Sequence, residues 1–211
     1  MRQLIQRFVS PVEAEFVAKQ FIHTGRLPDL EERQATVLFA DISNSTALAE
    51  RLGVNIFGQI LTQYYQEMTE VIFSFGGMVE KFLGDGIMAV FGMTGELANS
   101  EERAVRAGLQ MLEALEKINA NFGENIEIGI GINTGNVMAG YVGTKQQVEL
   151  TVLGDAVNVA AGLQNLARPN RLIVGPATVA GIVGKFATQR VGAVTVKGRI
   201  SNIQAHEIIR G

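Results

Sequence analysis

At 211 residues the chain suits one large domain or a domain with a short extension, and a chain of this size can bury about 70% of its unfolded surface without covalent staples. Its 18 basic and 21 acidic residues leave a net charge of −3, which argues against a nucleic-acid binder and means that an anionic ligand would need local cations. Cysteine is absent, excluding disulfides, thiolate metal ligands and a cysteine nucleophile, and two isolated histidines make a poor zinc site.

No apolar run approaches the ~18 residues of a membrane span. The first residues carry Arg2, Arg7 and Glu13 without an uninterrupted apolar signal core. The expectation is a soluble, cytoplasmic piece with no membrane insertion by this segment. Residues 1–34 differ in character from the rest. Ser10-Pro11 reads as an N-cap with proline in the first helical turn, and Val12, Phe16, Val17 and Phe21 form a partial apolar stripe that Gly25 and Pro28 end. This segment is read as an N-terminal helix and linker, with two alternatives open: a connector to an upstream domain, or a helix docked on its own domain. Residues 35–211 are read as the main domain.

Thr36–Ala40 is a compact apolar run with β-branched residues, a buried strand that ends abruptly in Asp41. Asn44 or Ser45 can cap a short helix to Leu52, broken at Gly53. A second helix starts near Asn55, where Phe57, Ile60, Leu61, Tyr64, Met68, Val71, Ile72 and Phe75 recur at helical spacing until Gly76-Gly77. Strands near 78–83 and 86–91 fold about Gly84-Asp85-Gly86, a strong hairpin signal with Asp85 at the tip. Asn99-Ser100-Glu101-Glu102 has a capping-box pattern ahead of a core helix that Gly123 stops.

Ile126–Asn133 alternates with period two, isoleucines on one face and small residues on the other, and Thr134-Gly135 is read as its turn. Val137–Gly143 and Val148–Leu153 read as a further hairpin. Asp155 is expected to cap a helix with Val159, Leu163 and Leu166 inward, ended by Pro169, and strands follow at 171–174, 186–196 and 203–209. Hairpins mixed with helices predict an α+β fold, a mostly antiparallel mixed sheet with helices on one face, rather than a doubly wound parallel sheet.

The chemistry starts from two acids. An aspartate at the end of a buried strand loses hydration unless a cation or hydrogen bonds compensate. Asp41 and Asp85, brought together by neighbouring strands, would make a site for a hard divalent ion such as Mg²⁺, which prefers one or two carboxylates plus substrate phosphates to an all-protein cage. The bland alternatives are a turn role for Asp85 and a helix-capping role for Asp41.

Phe39-Ala40-Asp41-Ile42, Lys81-Phe82-Leu83-Gly84-Asp85-Gly86 and Thr151-Val152-Leu153-Gly154-Asp155-Ala156-Val157-Asn158 together resemble the class III nucleotidyl cyclase catalytic domain, in order and at similar separations, over about residues 33–210. The resemblance implies a ferredoxin-like, palm-type core and two Mg²⁺ or Mn²⁺ ions held by Asp41, Asp85 and the Ile42 carbonyl. It makes Lys81 and Thr151 the base-specificity pair. A lysine donor and a threonine acceptor match adenine N1 and its N6 amine, whereas guanine would leave both mispaired. ATP is therefore the expected substrate.

By the same resemblance Lys197 binds the triphosphate, and Asn158 orients the ribose. One turn on from Asn158 the family has an arginine that meets transition-state charge, and here the position is Gly162. The resemblance further implies a head-to-tail homodimer, since metal ligands of one subunit face base-binding groups of the other, and a probable upstream regulatory domain in the full-length protein. The expected function is an adenylyl cyclase making 3′,5′-cyclic AMP and pyrophosphate, weakened at Gly162. Two rivals stand beside it: an inactive cyclase-like module that binds ATP and dimerises, and another palm-fold enzyme using GTP.

Overall fold

A computed structural model describes residues 18–19, 21–26, 29–93, 98–144, 148–195 and 202–210. Ser10-Pro11 and Lys197 lie outside them. Residues 18–19 and 21–24 are helical, and Phe21 and Ile22 are exposed.

The chain runs β1 (Glu31–Ile42), α1 (Ser45–Leu52), α2 (Val54–Ser74), β2 (Met78–Leu83), β3 (Gly86–Phe91), α3 (Ser100–Phe122), β4 (Ile128–Gly143), β5 (Val148–Leu153), α4 (Asp155–Leu166), β6 (Leu172–Val174), α5 (Pro176–Gly181), β7 (Thr188–Val194) and β8 (Ile203–Ile208). Among the described residues these strands form one sheet in the order β2-β3-β1-β4-β6-β8-β7, with β5 also paired to β4. Every pairing is antiparallel except β4 with β6. The α+β expectation is met, and both hairpin strands 78–83 and 86–91 stand where the sequence puts them.

Helices cover both sheet faces, not one. Leu38, Ala40, Ile87, Ala89, Ile128, Ile130 and Ile132 face α2 and α3, which bury Ile60, Tyr64, Met68, Met111 and Leu115 against them. The opposite face carries Ala35, Val37, Met88 and Val90, covered by Leu150 and Val152 of β5 and by Ala156 and Ala160 of α4. Strand alternation produces the split, because consecutive residues point to opposite faces. Gly129 and Gly131 lie on the α4 side of β4. A Cβ at Gly131 would collide with the backbone of Gln164 and Ala160, so the small residues that alternate with the isoleucines are what let α4 lie directly on the strand.

Thr134-Gly135 is not a turn. β4 continues through it, paired residue for residue with β1, because the Thr134 hydroxyl sits at 2.9 Å from that of Thr36 and 3.0 Å from that of Thr178 in a buried relay. The expected caps also differ. Asn44 and Asn99 precede α1 and α3 in the left-handed conformation with no side-chain cap bond, and Gly154 rather than Asp155 is the N-cap residue of α4. Glu102, the acid expected to close the capping box, instead pairs with Arg106 and Lys185. Leu166 is 38% exposed, the last helical residue having turned away from the strands that bury Val159 and Leu163.

Candidate functional site

Asp41 is the penultimate residue of β1 and faces Gly86 on one side and Gly129 on the other. Alternation places it on the α4 face, one step from Ile42, whose side chain enters the opposite core. Only the Ile42 backbone carbonyl could then serve an ion. Asp85 sits in the β2–β3 turn beside Gly84, which takes φ 66°, a left-handed value that suits glycine. The pairing of Asp41 with Gly86 brings the two carboxylates together. Burial, and then the charge and hydrogen bond of Asp85, push Asp41 up to about 6, while Arg168 and the Ile42 amide pull the other way. Two acids this close cannot both ionise freely without a cation.

Helix α2 supports the turn from below. The Tyr65 hydroxyl donates to the Gly84 carbonyl, and its ring lies 4.4 Å from that of Phe82. Tyr64 is fully buried, with no hydrogen-bond partner for its hydroxyl among the described residues. Burial and the fields of Asp41 and Asp85 hold its ionisation well above the usual phenol range, so it remains neutral. From sequence Tyr64 is one of the apolar-spaced positions of α2, read as core, and Tyr65 is not singled out. The N-cap residue of α1 is Asn44, without a side-chain cap bond, and the Asp41 carboxylate is engaged with Asp85 and Arg168.

These donors fit a small hard cation. Among the described residues no group of three or more His, Cys, Asp or Glu converges, so the chain offers two carboxylates and a carbonyl, leaving further positions to phosphate oxygens and water.

Lys81 faces Met88 across the hairpin, on the same sheet face as Asp41, just after a bulge between Val79 and Lys81. The bulged residue, Glu80, has a side chain only 1% exposed. Its carboxylate lies beside the Lys81 ammonium, at 3.2 Å, and the Val152 amide, and burial raises its pKa against their pull. Lys81 also reaches Glu149 at 3.8 Å. Glu149 and Thr151 are two apart on β5 and so share a strand face. The sequence pair Lys81 and Thr151 is therefore gathered at one edge, with Glu80 and Glu149 as companions that sequence reasoning did not pick out.

Asn158 is exposed on α4 and Gly162 is partly exposed one turn further along. Both look outward, away from Val159, Ala160 and Leu163 of the buried face. The two arginines just beyond α4 are both engaged within this chain. Arg171 pairs with Glu207 at 2.6 Å, and the Arg168 guanidinium donates to Asp41 Oδ2.

The model of the adenylate and guanylate cyclase catalytic domain matches residues 29–209. The chain is 31% identical, over its whole length, to the terminal-differentiation-specific adenylate cyclase of Dictyostelium discoideum, of which it covers 10%. It is 33% identical over 77% of its length to an adenylate cyclase of Anabaena cylindrica, of which it covers 33%. The chain thus spans about a tenth and a third of these relatives. Among solved structures it is similar to the adenylyl cyclase CyaB from P. aeruginosa, with a TM-score of 0.82 and 26% identity, covering 87% of this chain and 97% of that one.

Proposed function

Because the chain belongs to the family of adenylate and guanylate cyclase catalytic domains, we propose that it is an adenylyl cyclase that converts ATP to 3′,5′-cyclic AMP and pyrophosphate. The observation that carries the reading is the meeting of Asp41 and Asp85 at adjoining strand ends. Divalent ions bound by the two aspartates and the Ile42 carbonyl would activate the ribose 3′-hydroxyl and neutralise phosphate charge. Lys81 donates to adenine N1, and Thr151 accepts from the N6 amine. Asn158 orients the ribose, and Lys197 holds the triphosphate.

Asn158 and Gly162 face outward in the monomer, away from the α4 residues that enter the core. That supports a head-to-tail homodimer in which each copy supplies Asp41 and Asp85 to one site and Lys81, Thr151 and Asn158 to the other. Phe82, Leu83, Met138, Val142 and Leu153 on the same strands are exposed apolar residues that such an interface would cover. The much greater length of the relatives supports an upstream regulatory domain, with residues 1–34 as helix and linker ahead of a catalytic domain at 35–211. The reaction belongs in the cytoplasm, where ATP is made and spent. Among the described residues no helix is long and apolar enough to cross a membrane.

Gly162 favours a second reading, a cyclase-like module that binds ATP and dimerises without turnover. Incubation with ATP or GTP and each of Mg²⁺ and Mn²⁺, with chromatographic identification of the product, separates the readings. Cyclic AMP from ATP supports the first, no product the second, and cyclic GMP a GTP enzyme.

A further inference from the structure

We propose that Arg168 is an internal counter-cation that a divalent ion must displace from Asp41, so that this arginine sets the metal affinity of the site. The inference rests on reading Asp41 and Asp85 as metal ligands.

Arg168 lies just beyond α4, and its position is fixed by the backbone around it. Asn170 donates its amide to the Ile128 carbonyl at 2.7 Å, and its side-chain oxygen accepts from the Ile128 amide at 3.0 Å. The Arg171 carbonyl then accepts from Ile130 at 3.0 Å. These bonds lock the turn onto β4 on either side of Gly129. Gly129 is the cross-strand neighbour of Asp41, and a Cβ there would stand 2.9 Å from Arg168 Cγ. The missing side chain is the gap through which the arginine stem reaches the aspartate.

The contact engages one oxygen and one nitrogen. Arg168 Nη2 takes Asp41 Oδ2, whereas Arg168 Nε is buried with no partner among the described residues. Asp41 Oδ1 lies on the Gly86 side, 3.3 Å from where a Cβ of that glycine would be. A one-point pair lacks the fork geometry that makes arginine–carboxylate pairs strong, and a divalent ion at Oδ2 carries twice the charge into the same place. Arg168 is only 33% exposed on its side chain, so the pair is partly shielded from solvent screening. Arg168 and the ion therefore compete for one oxygen. Arg168 acts on the ion through Asp41 and is a positioning residue.

The test is titration of the nucleotide-free protein with Mn²⁺, free ion being read by electron paramagnetic resonance. Removing a charge-assisted hydrogen bond that competes with the ion should tighten Mn²⁺ binding in Arg168→Gln by about tenfold to a hundredfold. Arg171→Gln, which removes an equal charge already committed to Glu207, should leave binding within about twofold of wild type, because that charge is paired elsewhere. Should Arg168→Gln not fold, Arg168→Met keeps the length and packing of the stem without the charge, and should tighten binding by a comparable factor. A measurement on the unaltered protein needs no variant: the Arg168 Nε–H resonance should shift with the same midpoint as Mg²⁺ binding.

Unchanged or weaker binding in the Arg168 variant overturns the proposal, as does equal tightening in Arg171→Gln, which would reveal a general charge effect. Wild-type binding that survives Asp41→Asn unaltered would instead refute the metal-ligand reading itself.

Discussion

Asp41 stands directly across the β1–β4 ladder from Gly129, and the space that glycine leaves is occupied by the stem of Arg168 on its way to the Asp41 carboxylate. One backbone position thus governs the helix–sheet contact and the electrostatics of the acid pair together. Gly129→Ala should be destabilising, since the new methyl would meet Arg168 Cγ and the Gln164 carbonyl at 2.9 Å each. Overpacking of this kind costs about 1–3 kcal/mol. Urea denaturation of the variant against wild type is the measurement, and an unchanged midpoint would mean that α4 yields freely.

Asp41 supplies a pH dependence. Its carboxyl is pushed up to about 6, above the ordinary ~3.9 of an unfolded chain. In the window between these values the folded state binds more protons than the unfolded one, so stability falls as pH rises. The favourable contribution is complete below about pH 4 and lost above about 6. In chelator, wild type should lose of order 1–3 kcal/mol across this window from this group, and Asp41→Asn should lack that part of the slope. Mg²⁺ should restore stability at pH 7 in wild type alone. The comparison is urea unfolding at pH 4.5 and 7.

Lys81 should govern the choice of base. Its ammonium stands between Glu80 and Glu149 at the strand face that carries Thr151. Lys81→Ala should lower kcat/KM for ATP by about ten- to a hundredfold, the usual scale for a hydrogen bond to a charged donor, and GTP turnover much less. The ratio of the two specificity constants is what to measure. A parallel fall for both nucleotides would make Lys81 a structural lysine.

Gly162→Arg should raise kcat by about 10²–10³ while changing ATP affinity little, because a guanidinium there meets charge that grows in the transition state. Thermal stability should hold or rise slightly, since a mid-helix glycine costs up to about 1 kcal/mol relative to alanine. Steady-state cyclic AMP formation at saturating Mn²⁺ decides it. A folded, dimeric arginine variant no faster than wild type would show that 162 is not the vacant position.

What the sequence revealed follows the range of the physics involved. The β2–β3 hairpin was legible because Gly84-Asp85-Gly86 is a local turn signal, and the acid pair because strand ends adjoin turns. Helix periods for α2 and α3 emerged from their own residues. Thr134-Gly135 was misread as a turn because hydroxyls from Thr36 and Thr178, distant in sequence, hold it extended. The short helix α5 has too few residues to show a period. Arg168 was invisible as a partner of Asp41, 127 positions away, since no local pattern records the gap at Gly129. Glu80 escaped notice for a similar reason, its burial depending on β5 folding over β2.

The shared site is open to one direct measurement. Asp41→Ala removes a metal ligand and Lys81→Ala a base-recognition group, and the two lesions fall in opposite halves of the proposed interface. Each variant alone should form cyclic AMP far more slowly than wild type, Lys81→Ala by the factor given above and Asp41→Ala more so. Mixed, they should regain activity, because one of the two sites in a mixed dimer carries neither lesion. A mixture that forms mixed dimers yet stays as inactive as its parents, under conditions where wild type turns over ATP, would contradict the account.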